Sequence, residues 1–299
     1  MTSPTGLQYF LRRGNVTAQI AQVGASLRHV TVGGVDLVPP YPEDRPTPSS
    51  SGVVLAPWPN RIRDGVWQDG DETRALAITE PKFRNASHGL LRFTGYDVVT
   101  QSDESITLAA TIVPQTGYPY LVETRVTYTL DDTGISVHHT LTNRSASDAP
   151  VALGTHPFVT IGDVDPNDLV LRIPAETYFE TDERMLPIGE SPVSGRTDLR
   201  EGMRLGEAEL DTGFTTLHRD DDGYVRTSLT APDGRRATLR QGDGFDYLQV
   251  YTTTNYPGQT RAVAIEPMTG PADAFNSGRG LRRLAPGESW ELDWGISLI

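Results

Sequence analysis

The sequence of 299 residues predicts an all-β fold, a large antiparallel β-sandwich. Apolar and polar residues alternate with a period of two along several stretches, turn residues separate these stretches, and no long amphipathic helix is evident. The 29 glycines and 22 prolines are scattered between the short predicted strands, as in sandwiches rather than in folds where strands alternate with helices. Because the same patterning continues along the chain, we expect residues 1–299 to form a single domain.

The clearest predicted hairpin lies in the first half of the chain. Apolar and polar side chains alternate along residues 106–112, and again along residues 126–130 and 135–141. The last two runs flank residues 131–134, whose sequence Asp-Asp-Thr-Gly is typical of a tight turn. Three half-buried strands are therefore predicted here, the last two of them joined as a hairpin.

The second half of the chain has the same character. A Pro-Asp-Gly turn at residues 232–234 predicts a hairpin within residues 224–239, and residues 290–298 alternate again near the end. Two stretches rich in Pro, Gly and Ser, residues 39–52 and residues 186–201, are predicted to be irregular.

The composition excludes several classes of function. The chain has 26 Lys and Arg against 39 Asp and Glu, a net charge of −13, which disfavours nucleic acid and anionic membrane surfaces as partners. It has no cysteine, which rules out disulfides, thiolate metal sites and cysteine nucleophiles. No two histidines have the spacing and the neighbouring carboxylates that are typical of a metal site, so we expect no catalytic metal. No leader pattern and no apolar run of about 18 residues is present, which predicts a cytoplasmic location.

Glu266 is the candidate catalytic base. The apolar residues 263–265 predict a buried strand, and Pro267 cannot donate a hydrogen bond to a neighbouring strand, so the strand is expected to end just after Glu266. A carboxylate half-shielded at such a rim can be tuned towards the proton affinity that general-base catalysis needs. A strand-end glutamate paired with an arginine is the alternative interpretation.

His156 is the candidate acid that would work with this base. It follows the apolar residues 151–153 and precedes Pro157, so its strand is predicted to end in the same way as that of Glu266. Both side chains would then emerge at one rim of the sheet. A histidine and a glutamate facing each other across a pocket supply an acid and a base, each worth roughly 10²–10⁴-fold in rate.

Four further residues are candidates for holding a polar ligand: Asn60, Arg61, His88 and Asp211. Asn60 and Arg61 follow two prolines and can hydrogen-bond neighbouring hydroxyls, with a salt-bridged surface loop as the alternative. His88 precedes a glycine, which allows close approach to a ligand; a structural histidine at the strand end is the alternative. Asp211 lies near Phe214, and sugar sites pair such a carboxylate with an aromatic ring, although Asp in a Gly-rich loop often forms an Asx turn instead.

Taken together, the motifs around these residues resemble the aldose 1-epimerases, the galactose mutarotase family. The resemblance covers about the whole chain in matching order, which makes it far more specific than any single motif. The motifs are Pro59-Asn60-Arg61, His88-Gly89, Gly154-Thr155-His156-Pro157-Phe158, Asp211 with Phe214, Leu248-Gln249-Val250-Tyr251-Thr252 and Glu266-Pro267-Met268-Thr269-Gly270-Pro271.

The resemblance implies a galactose mutarotase-like supersandwich that interconverts the α and β anomers of a free hexose such as glucose or galactose, without a cofactor. By this resemblance, Glu266 takes the proton from the C1 hydroxyl and His156 protonates the ring oxygen. Arg61, His88 and Asp211 correspond to positions that hold sugar hydroxyls, and Asn60 accompanies Arg61. The expected partner is a small-molecule sugar, and the protein is expected to be a monomer or a homodimer.

The sequence leaves the substrate open. Residues 157–159 differ from the Asn-rich continuation of typical galactose mutarotases, and the chain resembles a compact bacterial branch. The superfamily includes enzymes for 6-phosphorylated and 6-sulfonated hexoses, and Arg63, Arg84 and Arg92 are the residues that could bind such an anion, with solvated surface arginines as the alternative. A non-catalytic carbohydrate-binding protein of the same fold is a further alternative.

Overall fold

A computed structural model describes residues 3–299 of the protein. Within this range the chain forms 27 β-strands, four short 3₁₀ turns and one four-residue helix, α1. Every strand pairing in the described range is antiparallel. No helix in residues 3–299 has the length and apolar character needed to cross a membrane.

The strands follow one another closely along the whole chain. The first fourteen are β1 Gln8–Arg13, β2 Val16–Ala21, β3 Ser26–Val32, β4 Val35–Val38, β5 Val54–Leu55, β6 Arg61–Arg63, β7 Val66–Asp69, β8 Glu72–Ala75, β9 Asn85–Ser87, β10 Asp97–Gln101, β11 Ser105–Ile112, β12 Val122–Leu130, β13 Gly134–Asn143 and β14 Ala149–Val151. The others are β15 Gly154–Thr155, β16 Phe158–Val159, β17 Val170–Arg172, β18 Ala175–Thr181, β19 Pro187–Pro192, β20 Met203–Arg204, β21 Asp211–Leu217, β22 Val225–Thr230, β23 Arg236–Gln241, β24 Tyr247–Thr253, β25 Ala262–Met268, β26 Arg282–Leu284 and β27 Ser289–Leu298, with α1 at Ala274–Ser277.

Three sheets carry most of the strands. The largest has nine strands in the order β10-β11-β12-β13-β27-β23-β22-β17-β20. An eight-stranded sheet runs β19-β18-β21-β24-β25-β15-β5, with β16 also pairing with β25, and a four-stranded sheet joins β1 to β4 in sequence order. Buried apolar side chains from all three sheets form one cluster, which includes Leu27, Ile265 and Trp294. The sheets are therefore layered over a common core, as in a β-sandwich.

The alternating runs of the sequence are strands, and the all-β prediction is confirmed. β11, β12 and β13 pair in sequence order, and in the turn between β12 and β13 the backbone nitrogen of Asp131 donates to the carbonyl oxygen of Gly134 at 3.1 Å. β22 and β23 form the second predicted hairpin, and β27 covers the last alternating run. Along β12 buried residues alternate with more exposed ones, because every second side chain faces the core.

The strand that carries Glu266 does not end there, so this part of the prediction is wrong. β25 continues through Pro267 and stays paired with β24 on one side. On its other side, the backbone nitrogens of Ile265 and Thr269 donate to the segment that contains β15 and β16. The nitrogen of Pro267 lies between them and faces the region where that segment is interrupted. The strand tolerates the proline because no regular ladder continues at that point.

The two segments predicted to be irregular differ in structure. Residues 39–52 contain a 3₁₀ turn at Pro48–Ser50 and otherwise no regular element, as predicted. Residues 186–201 contain β19, which pairs with β18 at the edge of the eight-stranded sheet, so the prediction is wrong there. An edge strand is hydrogen-bonded on one side only, which allows it to begin and end with a proline.

The turn after β9 depends on Gly89. Its φ is +69°, a conformation that costs residues with a side chain about 1–2 kcal/mol. A Cβ atom at this position would lie 2.1 Å from the carbonyl oxygen of Ala56, which accepts a hydrogen bond from the backbone nitrogen of Leu90 at 2.8 Å. Only glycine allows the two backbone segments to approach this closely.

We expect Gly89→Ala to lower the free energy of unfolding by about 3 kcal/mol or more, because a backbone clash adds to the cost of a positive φ. Gly70→Ala is the matched control: Gly70 has a φ of +62°, and no atom lies within 4 Å of its Cβ position. The control should cost about 1 kcal/mol. Urea unfolding followed by circular dichroism measures both, and equal losses of stability would contradict the prediction.

Candidate active site

A pocket of about 300 Å³ opens over the middle strands of the eight-stranded sheet. All six candidate residues of the sequence analysis line this pocket, although they come from five separate segments of the chain. One immediately precedes β6 and one begins it, one follows β9, one follows β15, and the others lie on β21 and β25. In chain order they are Asn60, Arg61, His88, His156, Asp211 and Glu266.

His156 and Glu266 lie opposite each other on neighbouring segments of the sheet. β15 and β16 pair with β25 in a single register, which places position 156 across from position 266. The Nε2 atom of His156 lies 3.3 Å from Oε1 of Glu266. The predicted pair is therefore present, but inside the sheet and not at a rim, and Glu266 is only 2% exposed rather than half-shielded.

Burial controls the protonation of this pair. The pKa of Glu266 is raised well above its ordinary value, first by burial and then by the charge of Asp211, while Arg61 opposes the shift. Burial lowers the pKa of His156 to about 4. The Nδ1 atom of His156 has no hydrogen-bond partner among residues 3–299. The tautomer of the ring is therefore not set by a hydrogen bond at Nδ1. Burial therefore disfavours the charged form of both groups and favours the neutral pair, a protonated carboxyl group beside a neutral imidazole ring.

Four side chains, those of Arg61, Asn60, Gln249 and Asp211, form a ring of polar contacts along one wall of the pocket, and Glu80 binds Arg61 from outside the ring. Arg61 donates from Nε to Oε2 of Glu80 at 2.8 Å and from Nη2 to Oε1 of Glu80 at 3.0 Å. Its Nη1 donates to Oδ1 of Asn60 at 3.2 Å, and Nδ2 of Asn60 donates to Oε1 of Gln249 at 3.3 Å. Nε2 of Gln249 donates to Oδ1 of Asp211 at 2.6 Å, and Oδ2 of Asp211 lies 3.9 Å from Nη2 of Arg61, which closes the ring. Each amide has one orientation that satisfies both neighbours.

The ring places Arg61 and Asp211 in the pocket and not on a surface loop. The side chain of Arg61 is 13% exposed, and Asp211 is the first residue of β21. Burial raises the pKa of Asp211, and the Arg61 charge and the Gln249 hydrogen bond oppose this shift. Arg61 therefore pairs with carboxylates, as the alternative interpretation had it, and at the same time lines the pocket.

His88 faces His156 across the pocket. The two ring centroids are 5.5 Å apart and the rings meet edge to face at 77°. His88 has a φ of +61° and Gly89 a φ of +69°, so the chain turns sharply where the ring enters the pocket wall. Burial lowers the pKa of His88 well below its ordinary value, and the neighbouring groups His156, Arg92 and Arg61 act in the same direction. A neutral imidazole ring, able to donate from one nitrogen and accept at the other, therefore lines the pocket.

Several lining residues were not identified as site residues from the sequence. Gln249 pairs across the strands with Glu266, and its polar side chain in an otherwise apolar run was a signal that could have identified it. Glu80 lies in a loop between β8 and β9 and carries no such pattern. The other unidentified lining residues carry hydroxyl groups: Ser49, Ser50, Thr79, Ser87 and Tyr251.

Of the three arginines considered for an anionic group, the structure places only Arg92 in the pocket lining. Arg63 forms ion pairs with Asp182 at 3.5 Å and Asp273 at 3.8 Å. The side chain of Arg84 is 77% exposed and pairs with Asp64 at 3.6 Å. Both therefore lie outside the pocket lining.

The arrangement suits proton transfer on a small polyhydroxylated molecule. It combines a buried carboxyl and imidazole pair with amide, guanidinium and hydroxyl groups that donate and accept hydrogen bonds. Residues 3–299 contain no group of three or more His, Cys, Asp or Glu arranged to hold a metal ion.

The sequence matches the family model of aldose 1-epimerase over residues 8–297. The uncharacterized protein YihR of Escherichia coli K12 is 31% identical over 296 residues, which cover 98% of this chain and 93% of YihR. Human galactose mutarotase is 34% identical over 167 residues, which cover 52% of this chain and 47% of the human protein.

The fold agrees with the family match. The crystal structure of a galactose mutarotase-like protein from Clostridium acetobutylicum is similar to this chain with a TM-score of 0.86 and 19% sequence identity, over 97% of this chain and 94% of that one. At this level of identity the likeness shows the fold, which is the galactose mutarotase-like fold that the sequence motifs implied. Because the family model spans nearly the whole sequence, the chain belongs to the aldose 1-epimerase family.

Proposed function

We propose that the protein is a mutarotase that interconverts the α and β anomers of a free hexose such as glucose or galactose. The observation that carries this proposal is the buried Glu266 carboxyl group 3.3 Å from the His156 ring, in a pocket lined by hydroxyl, amide and guanidinium groups. A volume of about 300 Å³ is at the lower end for small-molecule sites, which suits a single sugar ring.

Opening a sugar ring requires a base and an acid that act on the same sugar molecule. The base takes the proton from the C1 hydroxyl, the acid protonates the ring oxygen, and the bond between C1 and that oxygen breaks to give the aldehyde. Rotation about the C1–C2 bond presents the other face of the aldehyde, and closure with the proton transfers reversed gives the opposite anomer. In this proposal Glu266 is the base and His156 the acid, each worth roughly 10²–10⁴-fold.

The proton count of the pair fits this cycle. The neutral pair, with the proton on Glu266, and the ionic pair, with the proton on His156, contain the same number of protons and differ by one transfer across 3.3 Å. The ionic pair is the form that can remove one proton and donate another. Burial disfavours the ionic pair in the free pocket, and sugar hydroxyls that hydrogen-bond to the carboxylate would stabilise it.

The remaining candidates have the chemistry to orient the sugar. Arg61 and Asn60 offer donors, Asp211 offers acceptor oxygens, and His88 offers both, so different hydroxyls of one ring can be held at once. The ring of polar contacts limits the movement of Arg61, Asn60 and Asp211 before a ligand binds. Such preorganisation matters because a displacement of about 1 Å can cost on the order of 10²-fold in rate.

Polarimetry on freshly dissolved α-D-glucose and α-D-galactose tests the proposal. We expect the purified protein to accelerate the approach to anomeric equilibrium well above the buffer rate with at least one of the two sugars. Binding of a hexose without acceleration would instead identify a carbohydrate-binding protein. A single domain over residues 1–299, a cytoplasmic location and a monomeric or dimeric state remain predictions from the sequence.

We predict that Glu266→Gln and His156→Asn each lower kcat by roughly 10²–10⁴-fold while the sugar still binds, because each removes one proton-transfer group and keeps a polar side chain. Polarimetry measures the rate, and isothermal titration calorimetry measures binding. Glu123→Gln is a control that changes a carboxylate on β12, outside the pocket lining. Near-normal rates in both pocket variants would contradict the assigned roles.

We predict that kcat/KM stays high below the usual histidine range and falls only as the pH is lowered through about 4. The pKa of His156 is lowered to about 4, so only there does the pair gain a second proton and lose its base. Initial rates between about pH 3 and pH 9, corrected for the uncatalysed reaction, measure this profile. An acid limb centred near the ordinary histidine value of about 6.5 would contradict the prediction.

A hexose that carries phosphate or sulfonate at C6 is the second candidate substrate, and Arg92 is the observation that favours it. Arg92 lines the pocket, its Nη2 donates to the carbonyl oxygen of Thr79 at 3.5 Å, and no carboxylate in residues 3–299 forms an ion pair with it. The hydroxyl groups of Ser49, Ser50 and Ser87 line the same pocket. A guanidinium group together with hydroxyl donors is a typical environment for an oxyanion.

If the substrate carries such a group, Arg92→Gln should raise KM for glucose 6-phosphate by about tenfold or more and change KM for glucose less than about twofold. Arg84→Gln, which removes an exposed arginine outside the pocket lining, should change neither value. Polarimetric rates at several concentrations of each sugar give the four values. Equal effects of Arg92→Gln on both sugars, or no turnover of the phosphorylated sugar, would exclude the phosphorylated hexose as the substrate.

A further inference from the structure

Glu80 pairs with Arg61 through both of its carboxylate oxygens. The two hydrogen bonds are 2.8 and 3.0 Å long, and they match the planar fork of the guanidinium group. The loop that carries Glu80 is itself held in place, because its backbone nitrogen donates to the carbonyl oxygen of Asn85 at 3.0 Å, at the start of β9. Glu80 is therefore an anchored carboxylate that binds one side of Arg61.

The other side of Arg61 faces the pocket. Its Nη1 is bound to Asn60, and its Nη2 lies 3.9 Å from Asp211. Arg61 also acts electrostatically on Glu266, where its positive charge opposes the effects of burial and of Asp211. The single positive charge of Arg61 thus acts on three carboxyl groups, those of Glu80, Asp211 and Glu266. The more of this charge Glu80 offsets, the weaker is the effect of Arg61 on Glu266.

We propose that Glu80 is a positioning residue, which anchors Arg61 at the pocket wall and offsets its charge so that Arg61 can bind the sugar without neutralising Glu266. This inference rests on the proposed mutarotation. An arginine paired tightly with Glu266 would favour the ionised carboxylate and weaken it as a base, since a base that holds its proton poorly also removes a proton poorly. Glu80 supplies the competing partner that prevents this pairing.

Other charged groups in the pocket do not supply this competition. Asp211 has one oxygen engaged by Gln249 and approaches Arg61 only at 3.9 Å. His156 contacts Glu266 directly and holds no net charge near neutral pH, because its pKa is lowered to about 4. The other titratable groups of the lining are His88, Arg92 and Tyr251, and in residues 3–299 none of the three forms a hydrogen bond or an ion pair with Arg61.

Glu80→Gln tests the inference, because the amide keeps the shape of the side chain and removes the charge. We expect KM for the sugar to rise by about tenfold, since Arg61 loses its anchor, and the alkaline limb of kcat/KM to move to lower pH by about one unit, since the pair releases its proton more easily. Glu123→Gln is the matched control: Glu123 has the same side-chain exposure, 23%, and pairs with Arg125 and Arg144. It should leave KM and both limbs unchanged.

Two further measurements separate the possible failures. Glu80→Asp keeps the charge but shortens the side chain, so it should raise KM and leave the alkaline limb near that of the wild type. If Glu80→Gln does not fold, Glu80→Asp takes its place in the test. Carbon-13 NMR titration follows the protonation of the Glu266 carboxyl group directly and does not require turnover. Its signal is assigned by comparison with Glu266→Gln, and in Glu80→Gln it should show the same shift to lower pH. An inactive wild type contradicts the proposed function, whereas an unshifted Glu266 titration in Glu80→Gln overturns the role of Glu80.

Discussion

The register between β25 and the interrupted segment of β15 and β16 is the constraint on which the candidate site depends. Side chains alternate between the two faces of a sheet, so a shift of one residue would turn Glu266 to the opposite face from the pocket. The buried neighbours Val263 and Ile265 oppose such a shift, because it would move them out of the core. The backbone of His156 is hydrogen-bonded on the side away from β25, to Val53 and Gly52, and the interruption between β15 and β16 lies beside the nitrogen of Pro267.

The site keeps groups that a structure built only for stability would avoid. A carboxyl group that is 2% exposed has lost most of its water, and its raised pKa reflects that cost. Asn60 and His88 have positive φ values of 53° and 61°, and a backbone hydrogen bond of 2.8 Å from His88 to Asn60 ties the two strained positions together. The surrounding polar side chains satisfy Asn60 and restrict the positions that it can adopt, whereas Nδ1 of His88 and Nδ1 of His156 have no hydrogen-bond partner in residues 3–299.

The motifs predicted six pocket residues because each stands among glycines and prolines that mark the ends of apolar runs. Glu80 and Gln249 were missed for different physical reasons. Gln249 reaches the pocket through its pairing with Glu266, and Glu80 through its two hydrogen bonds to Arg61, and neither relation is a local property of the chain. The predicted strand end after Glu266 was wrong because the effect of a proline depends on what its nitrogen faces, and that is a property of the neighbouring strand.

The sequence alone determined the fold class, the family and the chemical types of the site residues, since period-two patterning, turn residues and ordered motifs are local features. It did not determine the protonation of Glu266 and His156, the role of Arg61 as both ion-pair partner and pocket wall, or which of three arginines lines the pocket. Those properties depend on desolvation and on distances between segments far apart in the chain. Only the tertiary structure decides them, because it alone brings together the strands that exclude water and the charges that act across them.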